Sequence, residues 1–157
     1  MRRVVGRRLK NLRIRGFEKV FGEASATPEN MATVAAGYEK MASALRDTGP
    51  SAAPANAMTS DQLGTKYGAP PSVLAGVPSD GSRLVVVNVT HPDFWSRKEL
   101  TWAAGHEMAH LELGFKDEMI NGYKAYKFGE PEERSSFDAL PGQQRLVNPD
   151  HLMQEAY

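Results

Sequence analysis

His106-Glu107-Met108-Ala109-His110 sets two imidazoles four residues apart with a carboxylate between them. On a helix, residues four apart share a face, so both rings can grip one metal ion while the glutamate takes a proton from a water that the metal activates. That is the chemistry of a zinc-dependent hydrolase acting on peptide bonds. The plain alternative is a solvated or core helix that happens to carry these residues. It loses ground because the chain has only four histidines, and two of them stand here at ligand spacing. Of the others, His91 in Thr90-His91-Pro92 reads as a loop residue, and His151 as a distant further candidate ligand.

Such a motif needs a helix to carry it. Ser96 with Glu99 three residues on is a capping-box signature and Gly114 supplies a stop, which predicts a helix between them. Leu100, Ala104, Met108 and Leu111 recur at helical spacing. Each residue advances about 100° round a helix, which puts His106 roughly 200° from Ala104 and the histidines opposite that apolar stripe. One face is expected to pack inward and the other to line a cleft. Gly105 costs about 1 kcal/mol of helix stability relative to alanine and permits a close backbone approach. Upstream, Leu84-Val85-Val86-Val87-Asn88-Val89 is short, apolar and β-branched between Ser79-Asp80-Gly81-Ser82 and Pro92, the pattern of a strand. Such a strand either lies in the core or offers an edge that holds an extended substrate by main-chain hydrogen bonds; periodicity does not separate the two.

Phe94-Trp95 after the strand, a polar turn, and Leu100-Thr101-Trp102 leading into the HExxH segment together resemble the zincin metallopeptidases of the aspzincin (deuterolysin-like) group. Asn148-Pro149-Asp150-His151-Leu152-Met153 is similar to that group's late Asn-Ala-Asp-Ser-Tyr segment, and Tyr123 to Gly129 to its Tyr-Gly element. The resemblance covers residues 84–157, and HExxH is its one strong motif. It implies a third metal ligand, an aspartate shortly after the second histidine, followed by a tyrosine that stabilises the transition state. Gly114-Phe115-Lys116-Asp117 matches the group's Gly-Thr-x-Asp pattern at its glycine and aspartate, which nominates Asp117, with Tyr123 as the nearest tyrosine. Counting back from the Tyr-Gly element lands near Asn121 instead, a poor zinc ligand. Leu84 to Leu113 also resembles the small regulatory peptidases of the ImmA/IrrE type. That branch implies a glutamate ligand on a following helix, for which Glu133 with Phe137 fits best behind Pro131. The nominated ligands are therefore His106, His110 and Asp117, with Glu133, Asn121 and His151 as alternatives. The plain readings are a solvated loop carboxylate for Asp117 and an acidic first turn for Glu133.

Three protein ligands leave a fourth position on Zn2+ for water, whose pKa falls towards about 7. Glu107 accepts the water's proton during attack on the scissile carbonyl and delivers it to the leaving amine. Tyr123, or else Tyr126, donates to the developing oxyanion; each also reads as core packing with a satisfied hydroxyl.

At 157 residues the chain is long enough for one domain with a real core. The lack of cysteine excludes disulfides, thiolate ligands and cysteine nucleophiles, and leaves the compartment open. The 19 basic and 19 acidic residues balance, yet residues 1–23 hold eight Lys or Arg against two acids, a local +6 that leaves −6 for the remainder. The basic segment has no apolar run of the length a secretory signal needs, and no stretch is apolar enough to span a membrane. So short a patch argues for a solvated arm, or one resting on the acidic remainder or another module, over a nucleic-acid partner. Thr27-Pro28, with Met31, Val34, Ala35, Tyr38, Met41, Ala42 and Leu45 at helical spacing, predicts a core-packed helix, and the stretch after Asp47 reads as a flexible connector.

The expectation is an α+β fold: a basic arm or helix over 1–26, then one zincin-like domain over 27–157. That domain comprises an accessory helix at 27–46, a connector at 47–60 and a catalytic core at 84–157, its active-site helix packed on a short sheet. The expected partner is a protein or peptide substrate. Three functions stay open: a secreted or delivered metalloendopeptidase, such as a toxin-like effector module of a larger parent protein or with a delivery partner; a regulatory peptidase acting on one protein partner, for which a cytoplasmic setting fits; and a degenerate zincin that binds without catalysis.

Overall fold

The computed structural model describes residues 14–47, 49 and 54–156. Residues 1–13, where most of the basic arm falls, lie outside that description, as do 48, 50–53 and 157. The described chain has the expected small α+β fold, mainly helical with two small sheets. It divides into two units, one of residues up to Ala36 together with Lys116 onward, the other of Gly37–Phe115.

The Gly37–Phe115 unit holds the motif helix and the larger sheet, in the order β1 (Ala55–Met58), β3 (Val85–Asn88), β2 (Ala75–Gly76). The apolar run is thus the central strand: β1 lies parallel to it, with Ala55 opposite Val85, and β2 antiparallel, with Ala75 opposite Val87. Of the two readings of this strand, the core one holds, and the sheet's edges are β1 and β2. β1 arises inside the stretch expected as a connector. Ala-Asn-Ala-Met has little strand propensity of its own, so pairing with β3 imposes the extended form. Thr59 then caps α3 (Ser60–Tyr67) through a capping box with Gln62. Asn88 is wholly buried, and its amide donates to Ser60 Oγ and Val73 O while its Oδ1 accepts from Thr90 N. This carboxamide pins the end of β3 just ahead of the motif helix.

That helix, α4 (Arg97–Met108), starts as predicted at Ser96, whose hydroxyl accepts from Glu99 N, and it packs on β2 and β3. Its continuation over Ala109–Leu113 widens into a π turn before Gly114. α2 (Pro28–Arg46) starts as predicted too, with Thr27 Oγ1 accepting from Asn30 N. Its inward face differs from the expected stripe: Val34, Met41 and Ala44 are buried, whereas Leu45 is 59% exposed. Gly37 lies on that inward face, and a Cβ there would stand 3.2 Å from Leu113 Cδ1. Lys40 donates to the carbonyl of Glu112, whose buried carboxylate pairs with Arg83.

In the other unit, α1 covers residues 14–21 and buries Phe17, Val20 and Phe21, the two rings 4.5 Å apart. The end of the basic segment, over residues 14–21, is therefore a helix with a buried apolar face. β4 (Met119–Ile120) and β5 (Tyr123–Lys124) form a hairpin over Asn121-Gly122, both at positive φ (53° and 85°). An Asn-Gly pair suits a two-residue hairpin turn of this kind. α5 (Pro131–Ala139), α6 (Gly142–Arg145) and α7 (Pro149–Ala156) follow, with Ala125, Phe137 and Leu140 forming a buried cluster. The Arg145 guanidinium donates to the carbonyls of Leu140, Asp138 and Val20, satisfying groups that the ends of α5 and α1 leave over.

Candidate metal centre

His106, near the end of α4, and His110, in the π turn, bring their Nε2 atoms to 2.9 Å, with ring centroids 4.7 Å apart and planes at 75°. Two imidazoles bound tetrahedrally to one zinc ion at ordinary bond lengths have nitrogens about 3.3 Å apart, so a few tenths of an ångström separate this pair from that geometry.

The backbone sets the tautomer of His110. Its Nδ1 lies 2.7 Å from the carbonyl oxygen of Phe115. A carbonyl only accepts, so the neutral ring carries its proton on Nδ1 and presents a lone pair at Nε2. That is the state a metal-ligating histidine needs, and a backbone carbonyl is a common orienting partner. The chain delivers this carbonyl by reversing after the π turn: Gly114 takes φ 68°, and Phe115 N returns to Ala109 O at 3.4 Å. Single π turns recur at functional sites.

Asp117 completes the group. One ligand atom each from His106, His110 and Asp117 lie within 4.8 Å of one another, and no other such group of metal-ligating side chains occurs among the described residues. All three come from one short, continuous stretch of chain, so the grouping is local. Asp117 Oδ2 accepts from the Tyr126 hydroxyl at 2.6 Å and from Lys124 Nζ at 2.9 Å, and Lys124 also donates to the Tyr126 oxygen at 2.9 Å. The side chain is 18% exposed, which removes the solvated-loop reading.

The remaining nominees have other duties. Tyr126, and not Tyr123, is the tyrosine on Asp117; Tyr123 stands on β5 opposite Ile120 and is 48% exposed. Asn121 is a turn residue. Glu133 accepts from Glu130 N in a capping box at the start of α5, so its carboxylate serves the helix terminus. His151 is buried and stacks on Phe137 with centroids 3.9 Å apart. Burial, aided by the charge of Arg145, pushes its pKa down to about 3, making it a neutral core histidine. Asn148 Oδ1 accepts from Asp150 N and His151 N, and Asp150 Oδ2 from Lys127 N, so this late segment caps α7 and ties it to the chain after β5. His91 accepts from Asp93 N and caps the short turn Pro92–Trp95, in keeping with its loop reading.

The histidine face is not the open cleft expected from the apolar stripe. His106 is 8% exposed, and Trp102, one turn earlier on the same side of α4, is itself buried. Glu107 between the histidines is partly buried. Sequence reasoning also missed Lys124 and the Phe115 carbonyl. Asn121-Gly122 carried the signal for the first, because an Asn-Gly hairpin folds the residues on its two sides together.

No protein-family model matches the chain, and neither a curated protein nor a solved structure matches it. The aspzincin and ImmA/IrrE-type resemblances therefore rest on the motif residues alone. No helix among the described residues is long and apolar enough to cross a membrane.

Proposed function

We propose that the chain is a zinc-dependent metalloendopeptidase in which His106, His110 and Asp117 hold the metal and Glu107 is the general base. The observation that carries this reading is the convergence at His110: its Nδ1 lies 2.7 Å from Phe115 O, and its Nε2 lies 2.9 Å from His106 Nε2 within a group that includes Asp117. Two imidazoles and a carboxylate are a donor set that zinc accepts while keeping a further position open. When bound there, the ion supplies Lewis acidity to a water and to a carbonyl oxygen. Glu107 takes the proton released as water attacks a peptide carbonyl and hands it to the leaving amine. Tyr126 gives its one hydroxyl hydrogen bond to Asp117 and so orients that carboxylate. A carboxylate between the two histidines argues for hydrolysis over metal storage.

Zinc-reconstituted wild type should bind the metal stoichiometrically and His106→Ala should not. Glu107→Gln should retain zinc and lose peptide cleavage by about 10²- to 10⁴-fold. A wild type without stoichiometric zinc, or a Glu107→Gln variant that cleaves at the wild-type rate, overturns the assignment.

A further inference from the structure

The metal grip accounts for His106, His110 and Asp117 and leaves a cation beside them without a role. Lys124 Nζ stands 2.9 Å from Asp117 Oδ2 and 2.9 Å from the Tyr126 oxygen, and 5.1 Å from the Tyr126 ring centroid. Ligating carboxylates are held by second-shell hydrogen bonds that orient them. Tyr126 does this with a neutral hydroxyl. An ammonium on the same oxygen does more, because its full charge opposes that of any second cation the carboxylate receives.

We propose that Lys124 is a counter-cation built into the metal centre: it holds Asp117 and Tyr126 in place before metal binds and competes with the metal for Asp117 afterwards. This rests on the metal-centre reading above. Lys124 can yield, since its side chain is 47% exposed on the short strand β5, and a four-carbon stem lets the ammonium swing into water. Tyr126 then remains as the donor that keeps the carboxylate oriented. Lys124 is thus a positioning residue whose presence lowers metal affinity and eases metal release.

The test is a competition titration of the full chain with zinc against a chromophoric chelator at fixed pH and ionic strength. Lys124→Met, which keeps the stem and drops the charge, should bind zinc about ten- to hundredfold more tightly than wild type, the scale on which outer partners of a metal ligand act. Lys124→Gln should tighten binding in the same way, which keeps the test decisive if the methionine variant folds poorly. Lys124→Arg keeps the charge and should show no gain, and adding His110→Ala to Lys124→Met should abolish it. Neutral variants that bind zinc no more tightly than a zinc-binding wild type overturn the inference and leave the metal centre standing. A wild type that binds no zinc overturns both.

Discussion

In the π turn after α4, His110 sets Nδ1 against a backbone carbonyl that can only accept and turns Nε2 towards a second imidazole. In α7, His151 lies flat on the Phe137 ring, and its Nδ1 has no hydrogen-bond partner. His151 is neutral because burial makes its protonated form expensive, so it too carries a lone pair. The difference lies in where the lone pair points and in what company. A histidine becomes a candidate ligand when an outer hydrogen bond fixes its tautomer and other ligating groups converge on its second nitrogen. Burial by itself makes a core residue.

Metal binding is where that contrast breaks most visibly. His110→Ala should weaken zinc binding by more than about a hundredfold, beyond the loss of an outer partner, whereas His151→Phe should stay within about twofold of wild type. Chelator competition measures both, and similar losses in the two variants would make His151 a ligand as well.

The next effect is on stability. The folded-state pKa of His151, about 3, lies well below the ordinary histidine value of 6.5. Between those values the unfolded chain binds a proton that the fold refuses, so stability is full above the upper value and falls as pH drops towards the lower. The slope from this one residue reaches about 1.4 kcal/mol per pH unit. Arg145 and Lys127 strengthen the depression and Asp150 opposes it. The drop in melting temperature from neutral pH to about pH 5 should therefore be smaller in His151→Phe than in wild type; equal drops would assign the acid sensitivity to other groups.

Gly114→Ala should have the smallest effect. A side chain at φ 68° costs about 1–2 kcal/mol, and disturbing the turn that carries Phe115 O should weaken zinc binding by less than about tenfold. Lower stability with unchanged zinc affinity would uncouple this turn from the tautomer of His110.

Much of the site was legible because short-range rules govern it. Ser96 and Gly114 bound the motif helix, Thr27 and Pro28 start α2, and the HExxH spacing sets the two imidazoles on one face. α3 also had a readable start in Thr59 and Gln62. What escaped depends on contacts that a one-dimensional pattern does not encode. β1 exists through its pairing with β3, since Ala55 to Met58 carry no strand signal. The choice between Tyr123 and Tyr126 turns on the hairpin at Asn121-Gly122, which brings residue 126 to Asp117 although residue 123 is nearer in sequence. The shielding of His106 was hidden because an apolar stripe drawn through Leu100, Ala104 and Met108 leaves out Trp102, which is buried on the other side.

The shortness of the span from His106 to Asp117 has a consequence for folding. A cross-link between positions so close in the chain removes little freedom from the unfolded ensemble, because loop-closure entropy starts small and grows only with the logarithm of loop length. The unfolded stretch also keeps all three donors within reach of one ion, and binding to the unfolded chain subtracts from the stabilisation of the folded one. A metal held here is therefore a weak staple, unlike one that recruited residue 133 or 151. The fold must rest on its apolar clusters and buried polar ties.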